Sequence, residues 1–184
     1  PLEELFPVVK VALTESGLSL TDIGSYIYCE GPGSVLGLRL CAMAIETWTR
    51  IYPESAQYYK YNSLQLSAYA LLHAKPDLQD ALIVADWKKG AWNALYMRGR
   101  HVGATEVIDD ASLGDWKNLI YHLPQRKGWQ SPPEKVQTLR YDPSILDTIR
   151  DASGLIRMTA RFELYNSGIN TLQTWTPTRH RAQA

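Results

Sequence analysis

The stretch Cys29-Glu30-Gly31-Pro32-Gly33-Ser34-Val35-Leu36-Gly37-Leu38-Arg39-Leu40 decides how the rest of the chain reads. Just before it, Ser25 to Cys29 is short and rich in β-formers (Tyr26, Ile27, Tyr28), which predicts a buried strand. Gly31-Pro32-Gly33 ends that strand, because Pro lacks a donor and Gly permits unusual backbone angles. Ser34 is a good N-cap, so a helix is expected from about Val35 to Tyr52, with Pro53 as its stop. A strand feeding a Gly-rich turn and then a helix presents backbone N–H groups to an anion, and one reading of the turn is phosphate binding. The other is a tight strand-to-helix connection that needs Gly for its shape. The Lys of a P-loop is missing.

The helix carries its own argument. Val35, Leu36, Leu38, Leu40, Cys41, Ala42, Met43, Ala44 and Ile45 leave almost no polar face, and Arg39 alone interrupts them before Glu46. A helix apolar all round must be covered on two sides. One side can face its own sheet. The other is either wrapped by the rest of this chain or left for a partner.

Outward from this centre, Leu2, Leu5, Phe6, Val9 and Leu13 follow helical spacing, and Gly17 marks a helix stop. A helix is expected from Ser63 to His73, with Leu64, Ala68, Leu71 and Leu72 inward. Ala81 to Ala85, Trp92 to Met97 and Val102 to Val107 read as a three-stranded meander, its first turn being Asp86-Trp87-Lys88-Lys89-Gly90. Asp110 is expected to cap a helix carrying Leu113, Trp116, Leu119 and Ile120. Tyr121 to Pro133 reads as loop, and Asp142-Pro143 as the start of a helix through Ala152. Thr176 to Ala184 is polar and expected to fray.

Composition narrows the classes. The 184 residues, 45% hydrophobic and 21% charged, are ordinary for a globular protein. Lys plus Arg (19) equal Asp plus Glu (19), so no global field draws nucleic acid or an anionic membrane. No apolar run approaches the roughly 20 residues that span a bilayer. Nor does the start resemble a signal peptide. Cys29 and Cys41 form no metal spacing or disulfide framework, which suits a reducing cytoplasm. They are expected to fill core space.

Chemistry-bearing residues are sparse. His73, His101, His122 and His180 are scattered, without a His-x-x-x-His pair, and are expected to be solvated or hydrogen-bonded. Ser34 lacks the strained Gly-x-Ser-x-Gly elbow of a nucleophile. Asp86, at a strand end, reads as a turn residue, with metal binding the alternative. Lys88, Lys89, Arg98, Arg100 and His101, near Trp87 and Trp92, read as a local basic cluster. It is either a set of solvated hairpin tips or an RNA contact within a larger complex.

The loop and its flanks resemble a known family. Gly31-Pro32-Gly33-Ser34 followed by Gly37-Leu38-Arg39 is similar to the Gly-Pro-Gly-Ser-Phe-Thr-Gly-Leu-Arg signature of the TsaB (YeaZ) family, a subunit of the machinery that makes threonylcarbamoyladenosine in tRNA. Ser16 to Ile23, Ser63-Leu64 and Ile83-Val84-Ala85-Asp86 resemble the family's flanking segments. The resemblance covers roughly residues 1 to 100. It implies an α/β, actin-like and Hsp70-like fold of two lobes, 1–76 and 77–184, the second carrying a C-terminal return segment. It implies a non-catalytic subunit that docks a TsaD-like catalytic protein through Leu5, Val8, Val9, Leu36, Leu40, Met43 and Thr47. It also implies that a TsaE-like ATPase joins that assembly, that a homodimer forms in isolation, and that tRNA is met only indirectly. No cofactor and no metal are expected, and the location is cytoplasmic. Such proteins often carry a glycoprotease or peptidase M22 label. The alternatives are an actin-fold ATP-binding or M22-like enzyme, or a paralogue that only self-associates.

Two departures shape those expectations. Val35-Leu36 replaces the family's Phe-Thr, making the helix start more apolar. The chain also opens at the family's first helix, at Pro1, with no counterpart of the opening Asp-Thr-Ser-type strand and the two strands after it. The first lobe is thus expected to be incomplete, and the Ser25–Cys29 strand to need another source of partners. Glu163-Leu164-Tyr165-Asn166 is only loosely similar to the family's Pro-x-Tyr-Leu-Arg ending.

Overall fold

The computed structural model describes residues 3–52, 56–125, 131, 135–149 and 154–165. Helix α1 (Leu5–Ser16) ends at Gly17, whose left-handed φ of 68° lets its amide reach back to Leu13 and Thr14. That is the glycine stop read from the sequence. Pro7 falls in the first turn, where its missing N–H has no intrahelical partner to lose. Strand β1 (Ser25–Gly31) runs two residues beyond the expected end. It is not the buried strand expected: it lies at a sheet edge, and Ile27 at its centre is exposed. Ser34 caps α2 (Val35–Ile51), accepting from the Gly37 amide at 3.4 Å.

A strand unforeseen in the sequence follows. Strand β2 (Gln57–Asn62) lies parallel to β1, with Ser25 opposite Gln57 and Cys29 opposite Tyr61. Its last residue, Asn62, caps α3 (Ser63–Ala74) by accepting from the Leu64 and Gln65 amides. The meander is present: β3 (Asp80–Lys88), β4 (Ala91–Arg98) and β5 (His101–Asp109) pair antiparallel in order. The expected five-residue turn shrinks to Lys89-Gly90, because β3 continues through Lys88 and Gly90 takes a φ of 79°.

Beyond the meander the sequence reading needs correction. Helix α4 (Asp110–Asp115) is capped by Asp109, not Asp110, and stops before Trp116. Leu119 and Ile120, expected on that helix, open β6 (Leu119–Leu123), which pairs parallel to β3 where a loop was expected. A parallel place beside the most buried strand outweighs the local helical spacing. Strand β7 (Val136–Thr138) pairs with β6. Asp142 caps as expected, accepting from Ser144 N at 3.0 Å, but it starts a 3-10 turn (Pro143–Ile145) that runs into α5 (Leu146–Ile149). The expected continuation to Ala152 lies outside the described residues. So do His180, Asn166 and the polar end from Thr176.

Strand β8 (Arg157–Thr159) pairs antiparallel with β2. The first sheet therefore has the order β1-β2-β8 and the second β5-β4-β3-β6-β7. The segment around β8 is locked onto the first sheet. Phe162 stacks on Tyr28 at 3.9 Å, and Tyr165 N donates to the Glu30 carbonyl. Buried Glu30 pairs with Arg157 and with Lys60, and Lys60 also pairs with Glu163 at 3.0 Å.

Most of the core belongs to the second sheet and α3. Ala81, Ile83 and Ala85 of β3 pack with Leu64, Ala68, Leu71 and Leu72 of α3, the four inward residues read from the sequence. On the other face Leu82 and Val84 pack with Trp92, Ala94, Ile108 and Leu113. α3 also turns Leu66 toward Tyr61, Ile149 and Leu155. The helix covered on two sides is thus α3. In α2 only Ala44 and Ile45 are buried.

Candidate functional site

Gly31 is the residue that shapes the loop. Its φ is 110°, a region open to glycine, and an added Cβ would meet Leu38 Cδ1 at 3.1 Å. The Gly31–Pro32 bond is cis. The Pro32 carbonyl accepts twice, from Ser63 Oγ at 2.6 Å and from Gln125 Nε2 at 2.8 Å. The loop is thereby tied to the start of α3 and to the residue two past β6. Ser34 is exposed and used as a cap. Gly37 follows Ser34 closely enough that its Cβ would rest 3.7 Å from Ser34 Oγ, an ordinary contact, and Arg39 is exposed.

Between loop and second sheet lies a cleft of about 320 Å³, lined by Cys29, Gly33, Ser34, Leu123, Gln125 and Tyr141 among others. Two weakly acidic side chains, Cys29 and Tyr141, are part of its lining. The Tyr61 and Tyr141 hydroxyls share a 2.7 Å hydrogen bond. Burial pushes Tyr61 up to about 12 and Tyr141 further in the same direction. Burial also raises the Cys29 and Cys41 thiols, so both stay protonated at neutral pH.

Asp86 is not a turn residue. It sits inside β3, is 7% exposed, and has its Oδ1 3.1 Å from His122 Nε2 while Oδ2 accepts from Gln125 N at 3.3 Å. His122 is buried, with the Trp92 ring perpendicular to it at 5.6 Å between centroids. His73 and His101 are exposed. Among the described residues, no group of three His, Cys, Asp or Glu side chains is placed to hold a metal. No described helix is long and apolar enough to cross a membrane.

The basic residues do not form one cluster. Lys88 and Lys89 stand at the β3–β4 turn, while Arg98, Arg100 and His101 stand at the β4–β5 turn, the opposite end of the meander. An eight-residue strand separates them, roughly 25 Å at the usual rise.

The outer faces of α1 and α2 hold the exposed apolar surface. α1 buries no residue. Leu5, Val9 and Leu13 are half-buried on its inner side, whereas Val8 and Val11 face outward. On α2, Leu36 is 60% and Met43 66% exposed, with Leu40 half-buried and Thr47 exposed on the same stripe. The positions 36, 40, 43 and 47 share one face by helical periodicity. Trp48 of α2 meets Phe6 of α1 edge-on at 6.3 Å and stacks on Tyr26 of β1 at 6.2 Å.

No protein-family model and no curated protein matches the sequence. Solved structures do. One, an uncharacterised protein with similarity to the peptidase YeaZ from Pseudomonas aeruginosa, superposes with a TM-score of 0.58 over 89% of this chain and 82% of that one, at 13% identity. YeaZ from Pseudomonas aeruginosa superposes with a TM-score of 0.55 over 82% and 78%, also at 13% identity. With two sheets, a Gly-Pro-Gly-Ser connection into α2 and these superpositions, the chain has the YeaZ-like, actin-like α/β fold.

Proposed function

We propose that this chain is a non-catalytic TsaB-like subunit, which docks a TsaD-like catalytic protein through the outer faces of α1 and α2 and so supports threonylcarbamoyladenosine formation in tRNA. One observation carries the reading. α1 has no buried residue, and the stripe Leu36, Leu40, Met43 on α2 leaves two of its three apolar side chains more than half exposed. Contiguous apolar surface on two adjacent helices is what a helix-packing partner covers. The zero net charge fits a subunit that leaves tRNA to its partner. A TsaE-like ATPase joins the same assembly, in the cytoplasm, and without partners the chain pairs with itself.

The test is co-purification. Met43→Glu places a charge on an exposed stripe position and should abolish capture of the TsaD-like subunit, with circular dichroism and urea midpoint unchanged. Capture at the wild-type level would sink the proposal. The cleft beside the α2 N-terminus favours a second reading, an ATP-binding actin-fold enzyme. Calorimetry with ATP and Mg²⁺ separates the two, since no heat at millimolar nucleotide eliminates the enzyme.

A further inference from the structure

We infer that Gln125 is the positioning residue of the docking helix: its side-chain amide clamps the Pro32 carbonyl from the second sheet and so sets where α2 begins. Gln125 stands two residues after β6, on neither face of the docking surface. Its backbone is seated by a buried pair. Asp86 and His122 lie on the adjacent parallel strands β3 and β6, where Val84 is opposite His122 and Ala85 opposite Leu123. One Asp86 oxygen meets His122 Nε2, and the other accepts from Gln125 N. From this seat the Gln125 side chain reaches out to Pro32 O at 2.8 Å.

Pro32 is two residues before the α2 cap, and its carbonyl is fully used. Ser63 Oγ, on α3, takes one acceptor site and Gln125 Nε2 the other. The two donors come from different parts of the fold, so together they fix the loop against both α3 and the second sheet. The loop cannot donate in return at residue 32, because Pro has no N–H. Gln125 is also the only one of the two donors whose replacement leaves the buried α3 cap region untouched, since Ser63 is itself buried and its Oγ is tied into the turn. The arrangement makes the second sheet a reference for the orientation of α2, although none of that sheet's residues lies on the docking stripe.

The docking consequence rests on the function proposed above; the clamp itself does not. Gln125→Glu keeps the shape, removes the donor, and turns an acceptor toward the Pro32 carbonyl. In the full chain, hydrogen–deuterium exchange of residues 33–38 should then rise about tenfold, the scale of one net hydrogen bond, with β3 to β5 changing by no more than the accompanying small drop in urea midpoint accounts for. Affinity for the purified TsaD-like subunit should fall by about the same factor. Gln125→Ala should give a smaller effect of the same sign on both readings. Unchanged exchange at 33–38 overturns the clamp. Raised exchange with unchanged affinity, when Met43→Glu still abolishes binding, overturns the positioning role. If Met43→Glu leaves binding intact, the docking function fails instead, and the exchange result alone decides the clamp.

Discussion

In β3, Ala81, Ile83 and Ala85 face α3, Leu82 and Val84 face the opposite side, and all five are fully buried. In α2, an equally greasy segment of similar composition leaves Leu36 and Met43 mostly in water. The difference is one of layers. The second sheet has helix α3 on one face and α4 with Trp116 on the other, while α2 lies over the three-stranded sheet with only half-attached α1 beside it. Apolar character alone therefore says how much surface must be hidden, and the layer count says whether this molecule hides it.

The comparison breaks hardest at β3. Ile83→Ala should cost about 2–5 kcal/mol in urea unfolding, by lost transfer energy plus a cavity. A cost under about 1 kcal/mol would mean that the second sheet is not the tight half of the molecule. The matching change on α2, Met43→Ala, should alter stability by less than about 0.5 kcal/mol. It should nonetheless weaken the complex with a TsaD-like subunit by about 2 kcal/mol, roughly thirtyfold, if the stripe is a binding hot spot. A stability loss as large as that of Ile83→Ala would show the stripe to be core.

The Tyr61–Tyr141 pair sits where the two regions meet. Both hydroxyls are held protonated above their ordinary value of 10.0, so their contribution is intact below pH 10. It is lost as pH rises toward about 12, where Tyr61 ionises in the folded chain. Tyr141→Phe should lower neutral-pH stability by about 1 kcal/mol and flatten that alkaline loss. An unchanged alkaline slope would remove the pair from the account. The smallest effect concerns Glu163, where hydrogen bonds from Lys60 and then Arg161 hold the carboxyl below its ordinary 4.5. Its contribution is present above that value and lost as pH falls through the lower, folded one. NMR titration should show the depressed value in the wild type and a partial return in Lys60→Met, Arg161 still holding part of the shift. An undepressed Glu163 would detach the β8 segment from Lys60.

Legibility followed how local each signal was. Gly17, Ser34 and the meander were readable because each depends on neighbours in sequence: a left-handed stop, a cap, an alternation bounded by Gly. Strand β2 carried Tyr58, Tyr59 and Tyr61, good β-formers, yet went unread between Pro53 and the helix at Ser63. In β6, Leu119 and Ile120 continue the spacing of Leu113 and Trp116, and only the open place beside β3 makes them strand. Asp86 looks like a turn in Asp-Trp-Lys-Lys-Gly because its partner His122 is 36 positions away. The two-sided burial expected of α2 belongs to α3, since side-chain greasiness cannot say which helix the chain threads between its sheets. At the site, the loop was legible and Gln125 was not: a lone glutamine in a Pro-flanked loop carries no local sign that it reaches residue 32.

Among the described residues, the edges of the first sheet differ in length, and that sets a rule for growth. β8 offers three residues on one flank, while β1 offers seven on the other. A short flank is a poor template, so any strand that extends this sheet is steered to β1. Two copies meeting edge to edge there would leave only the short flanks outward, and the ribbon would terminate at a pair instead of running on as a fibre.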